Sequence, residues 1–206
     1  MHIAPFLLCA LVLTNGSFSL PVNETCDALA IRCETLQNKL GDLNQQLMVT
    51  EWPITDDKAD QTAQTEKVIC RFMQESAQCL NALTQDCPRQ PLSVSGNDQF
   101  MATWLTFNAK LCDSAAPVQN YIPALYYCYA ENIDLQAQIP RLNPQSTYVK
   151  QSVNASTAQE NACRALSDIS AHMNGTAAAI AKKCGEEGRR ILMDGTGYLR
   201  ETNCPR

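Results

Sequence analysis

The 206 residues carry 16 Lys and Arg against 21 Asp and Glu, a formal net charge of −5. There is no run of like charge and no basic face for a phosphate backbone, so no nucleic-acid partner is expected. Aromatic residues make up only 6%, which leaves Leu, Ala and Cys to build a core of modest volume.

Residues 1–19 read as a secretory signal peptide. Ile3 to Leu13 is a short apolar run, well under the roughly 20 residues a membrane span needs, and Ser17 and Ser19 supply small residues near a cleavage point. No Lys or Arg precedes the run. No later stretch is long and apolar enough to cross a bilayer, so residues 20–206 are expected to form one secreted, extracellular domain with no transmembrane span. Cys9 falls in the signal. Ten cysteines remain: Cys26, Cys33, Cys70, Cys79, Cys87, Cys112, Cys128, Cys163, Cys184 and Cys204. An even number in a secreted chain predicts five disulfides, each contributing about 2–4 kcal/mol. With no C-x2-C pair and one histidine after residue 19, a structural zinc site, or any other metal or cofactor, is not expected.

The first helix starts near Asn23 to Thr25 and carries Cys26, Leu29, Cys33, Leu36, Leu40, Leu43 and Leu47 at alternating steps of three and four. This is one apolar helical stripe, and the rest of the chain is expected to gather around it. Cys26 and Cys33 lie seven residues apart, about 10.5 Å along a helix axis. A disulfide needs Cα atoms within about 7 Å, so the two must bond elsewhere. Trp52-Pro53 ends this element. Thr55-Asp56-Asp57 opens a second helix running to about Gln85, with acids where the dipole favours them. Its Cys70 and Cys79 stand nine residues apart, about half a circumference, and should bond to different neighbours.

Residues 88–97 read as a loop. A third helix follows, with Phe100, Trp104, Phe107 and Leu111 as its bulky stripe. Pro117 and Pro123 bracket a turn. A fourth helix, from Ala124 to Gln138, holds Tyr126, Tyr127 and Tyr129, which cannot all face inward. Residues 140–153 form the main linker. Ser156-x-x-Gln159 is a capping-box pattern ahead of Cys163, Leu166, Ile169 and Met173. Asn174-Gly175 ends that helix, and a last helix runs from about Thr176 toward Leu192, loosened by Gly185 and Gly188. Residues 194–197 read as a turn, and Cys204 clamps the end. The expected fold is all-α: a disulfide-stapled bundle of about six helices.

Little in the chain points to catalysis. His172 has Asp168 four residues before it, an ordinary helical spacing, and reads as an exposed or helix-end residue. No G-x-S-x-G is present. Glu186-Glu187 and Asp56-Asp57 suit helix starts. Asn23, Asn154 and Asn174 head acceptor triplets for N-glycosylation.

The run Cys79-Leu80-x6-Cys87-Pro88, then Cys163 with Leu166, Cys184-Gly185, and the ending Tyr198-Leu199-Arg200-x3-Cys204-Pro205 resembles the secreted, helical, cysteine-rich hemolymph glycoproteins of insects and related nematode domains. The resemblance implies a secreted glycoprotein without catalytic residues. The functional expectation is a non-enzymatic extracellular glycoprotein. It would carry a small apolar ligand against Phe100, Trp104, Phe107, Tyr126 and Tyr129. The alternative is an extracellular protein-interaction module with no small-molecule pocket.

Overall fold

The fold was taken from a computed structural model, which describes residues 25–47, 56–87, 98–113, 120–125, 152 and 154–204. Among them the chain forms six helices and no strand: α1 (Cys26–Leu47), α2 (Asp56–Asp86), α3 (Asp98–Ala109), the single turn α4 (Tyr121–Pro123), α5 (Ala155–Gly175) and α6 (Ala177–Asn203). A 3-10 turn, Lys110–Cys112, continues α3. The expected helix over residues 124–138 and the linker over 140–153 lie largely outside the described residues.

The α1 stripe is buried as its spacing requires. Leu29, Cys33 and Leu40 are buried, and Cys26, Leu36 and Leu43 pack against them. Cys33 bonds Cys79 and Cys26 bonds Cys87. Numbers rise along α1 as they fall along α2, so the two helices are antiparallel. The cysteines of α1 do bond elsewhere, but both reach the same neighbour. Cys70, half a turn from Cys79, bonds Cys112 at the far end of α3.

This arrangement moves the centre of the molecule from α1 to α2. Ser76, Ala77, Cys79, Leu80 and Leu83 are all buried, and so many buried positions within two turns cover both sides of a helix. One side of α2 takes α1 and the other takes α3, where Asn81 Nδ2 donates to Thr106 Oγ1 at 3.0 Å. Helix α1 has a single apolar stripe and can cover only one neighbour, so it is an outer layer. Helix α3 in turn packs on α5, and α5 on α6. Residues of all these helices join one apolar cluster.

The last two helices differ from the sequence reading in two places. The cap of α5 is Asn154, two residues before Ser156. Its Oδ1 accepts the Thr157 N–H at 2.9 Å, and the Thr157 hydroxyl accepts the Asn154 N–H at 3.1 Å. The expected break at Asn174-Gly175 is where α5 ends, with Thr176 at φ −109° and ψ 12° between it and α6. Thr176 N donates to His172 O at 2.9 Å, and Ile180 N to Thr176 O at 3.0 Å. A sharper break follows at Gly185, at φ 72° and ψ 167° inside α6. Beyond it the chain returns along α5. Thr196 Oγ1 lies 3.3 Å from Met173 Sδ, and Cys204 bonds Cys163. Both contacts straddle Gly185 almost symmetrically in sequence. Glu186 and Glu187 then open the returning arm, hydrogen-bonded to Arg189 and Arg190. Those bonds hold the Glu187 carboxyl below its ordinary value.

The backbone region of Gly185 is open essentially to glycine alone. Gly185→Ala is therefore expected to cost about 1–3 kcal/mol. Gly175→Ala meets open space and should be neutral or stabilising by up to ~1 kcal/mol. Urea titration of the two variants against wild type checks the ordering.

The second difference is residues 194–197, which are helical. Gly195 is buried on the inner face of α6, directly beneath the Tyr121 ring, and a methyl there would overlap that ring. Thr196 Oγ1 donates to Leu192 O at 2.9 Å, so the Tyr121 hydroxyl, 3.2 Å away, donates to Thr196. Burial raises the Tyr121 pKa, and the bond to Thr196 partly offsets it. Asn120, at φ 65°, turns the chain into α4 and delivers this ring.

Candidate functional site

Two antiparallel helices held by two disulfides leave a groove along their outer seam. It has a volume of about 490 Å³. Leu36 of α1, Ala82 of α2 and the Cys79 half of the buried bridge give it an apolar floor. Arg32 stands on the α1 side. Glu75, Gln78, Gln85 and Asp86 line the α2 side at helical spacing, and Asn81, turned toward Thr106, completes the wall. Glu75 lies 3.8 Å from Arg71, whose guanidinium stacks over Phe72 at 5.0 Å.

The groove forms because Cys33 and Cys79 occupy the contact line. The residues a quarter turn away, Arg32 and Leu36 against Gln78 and Ala82, diverge into open space. Its walls offer carboxylates, carboxamides and one guanidinium above a small apolar strip. That set suits an extended or helical polypeptide with its own hydrogen-bonding groups. A second groove of similar volume runs beside the Cys163–Cys204 bridge, between Arg164 and Arg200.

Of the aromatic residues expected to line a pocket, Phe100, Trp104 and Phe107 belong to α3. Phe100 is 1% exposed and Phe107 6%, so both are core. Trp104 is half-buried and stacks on Phe100 with centroids 5.9 Å apart. Neither groove is lined by these three. Tyr126 and Tyr129 lie outside the described residues, as does Asn23. Asn154 and Asn174 are exposed at opposite ends of α5. Among the described residues, four disulfides pair eight of the ten expected cysteines. Cys184 is also disulfide-bonded. His172 is in the last turn of α5, but its ring is half-buried and its Nε2 is covered, so it is not an exposed side chain. No three His, Cys, Asp or Glu side chains gather to hold a metal ion among the described residues.

No protein-family model, curated protein or solved structure matches the chain. The groove therefore has to be read from its own chemistry.

The sequence reading places Leu36 in the apolar stripe and Cys79 in a disulfide, and gives no residue of this groove a binding role. A signal was available: positions flanking a pair of bridged cysteines on antiparallel helices must line the seam, but this needs the Cys33–Cys79 pairing, which spacing leaves open. One titratable group lies on α2 nearer its start. Glu66 is half-buried, and burial raises its carboxyl above the ordinary 4.5. Below that ordinary value the group is protonated in both folded and unfolded chains. As pH rises through the raised pKa, the folded chain must hold a poorly solvated charge and loses stability. Glu66→Gln is expected to raise the Tm at neutral pH and leave it unchanged near pH 3, read by thermal scans at both.

Proposed function

We propose that this chain is a secreted, non-enzymatic glycoprotein that binds an extracellular protein partner through the α1–α2 groove. The observation that carries the reading is the groove itself: an apolar strip walled by hydrogen-bonding side chains and held open by two disulfides. A rigid surface loses little entropy on binding, which favours affinity from a small contact. The bulky aromatic residues of α3 are packed into the core, which favours a protein partner over an apolar ligand carried inside the bundle. Several disulfides, and no described helix long and apolar enough to cross a membrane, accord with an extracellular setting.

The test fills the groove. Ala82→Trp places a ring on its floor without touching a cysteine. Covalent crosslinking in the extracellular fluid of the source should join a defined protein to the wild type and lose it in the variant. Equal capture by both, or a small apolar molecule carried through purification and seen by native mass spectrometry, would contradict the reading.

A further inference from the structure

We propose that Asn154 carries an N-linked glycan without giving up its place as the cap of α5. The inference rests on the secretory reading above and adds a defined modification site to it. Asn154 is exposed and heads the triplet Asn154-Ala155-Ser156. Its side chain divides two tasks between two atoms. Oδ1 accepts the Thr157 N–H at 2.9 Å and closes the helix end. Among the described residues no group hydrogen-bonds Nδ2, and that is the atom to which sugar is attached.

The donor is a lipid-linked pyrophosphoryl oligosaccharide of the secretory membrane. The bond from sugar C1 to Nδ2 forms as the bond from C1 to the pyrophosphate oxygen breaks, and Nδ2 gives up one proton. The amide carbonyl survives the transfer, so the helix keeps its cap. The second half of the capping box comes from Thr157, whose hydroxyl meets the Asn154 N–H at 3.1 Å. Ser156 takes no part in it. The residue that the glycosylation triplet needs and the residue that the cap needs are therefore different side chains. The Asn154 backbone is extended, φ −151° and ψ 172°, and the residue is exposed. Helix α5 packs on α3 and α3 on α2, and Asn154 does not line the groove.

The full chain is expressed in a secretory eukaryotic host, and protein from the medium is digested with an N-glycanase in heavy-oxygen water. The tryptic peptide holding Asn154 should return as the labelled aspartate. Ser156→Ala should abolish the label, and after deglycosylation of both proteins its Tm should match wild type. Asn154→Ala should abolish the label and also lower that Tm by about 2–4 °C, the effect of a lost cap in a domain of this size. Protein in the medium with Asn154 unmodified overturns this inference alone. Protein that stays in the cell without sugar overturns the secretory reading together with it. If Ser156→Ala destabilises as much as Asn154→Ala, the proposed division between sugar and cap is wrong.

Discussion

Replacing Cys33 and Cys79 together by alanine is expected to lower stability by about 3–5 kcal/mol. This bridge lies inside the loop closed by Cys26–Cys87. With the outer bond in place, the inner one still closes a ring of seven residues on α1 (26 to 33) and eight on α2 (79 to 87). A ring of about 15 residues is worth about 3 kcal/mol of unfolded-chain entropy. The rest comes from packing, since Cys33 is 0% and Cys79 3% exposed, and two sulfurs leave a void between tightly packed helices. Guanidinium unfolding of the double variant, with the other disulfides intact, measures the sum. A loss under 1 kcal/mol would mean that the seam is held by its leucines and that the bridge adds little. Binding at the groove should weaken in the same variant, because its floor is no longer pinned.

Gly195→Ala is the second large effect, and its sign is informative. In an open helix the change favours folding by about 1 kcal/mol. Here the added methyl overlaps the Tyr121 ring, and forcing a buried ring aside costs about 1–3 kcal/mol or more. The net expectation is destabilisation. In a Tyr121→Ala background, itself costing about 3–5 kcal/mol, the same substitution should become neutral or stabilising. A double-mutant cycle by chemical denaturation reads the coupling. Gly195→Ala stabilising the wild type would remove the ring from its seat on α6. Tyr121→Phe, which keeps the ring and drops the bond to Thr196, should cost only about 0.5–1.5 kcal/mol.

Local periodicity carried most of the helical architecture. The α1 stripe from Cys26 to Leu47 and the opposed Cys70 and Cys79 could be read because side-chain direction on a helix follows from spacing alone. What failed was long-range. Gly175 ends α5 as its sequence suggests, but only the return of Thr196 to Met173 and of Cys204 to Cys163 shows that the chain reverses beyond Gly185. Gly195 looked like a turn residue because its role is to admit a ring from Tyr121, over seventy positions away. The α1–α2 groove was invisible for a related reason. Gln78, Ala82 and Gln85 are ordinary helix-surface residues until Cys33 is known to meet Cys79. A stripe announces that a helix will be covered; it does not say by which partner, and so α1 was taken for the hub that α2 is.

Peptide mapping of the purified protein under non-reducing conditions tests the central claim most directly, because α2 is the hub only if its cysteines reach both neighbours. The expected linkages are Cys26–Cys87, Cys33–Cys79, Cys70–Cys112 and Cys163–Cys204. A peptide joining Cys26 to Cys33, or Cys70 to Cys79, would contradict it.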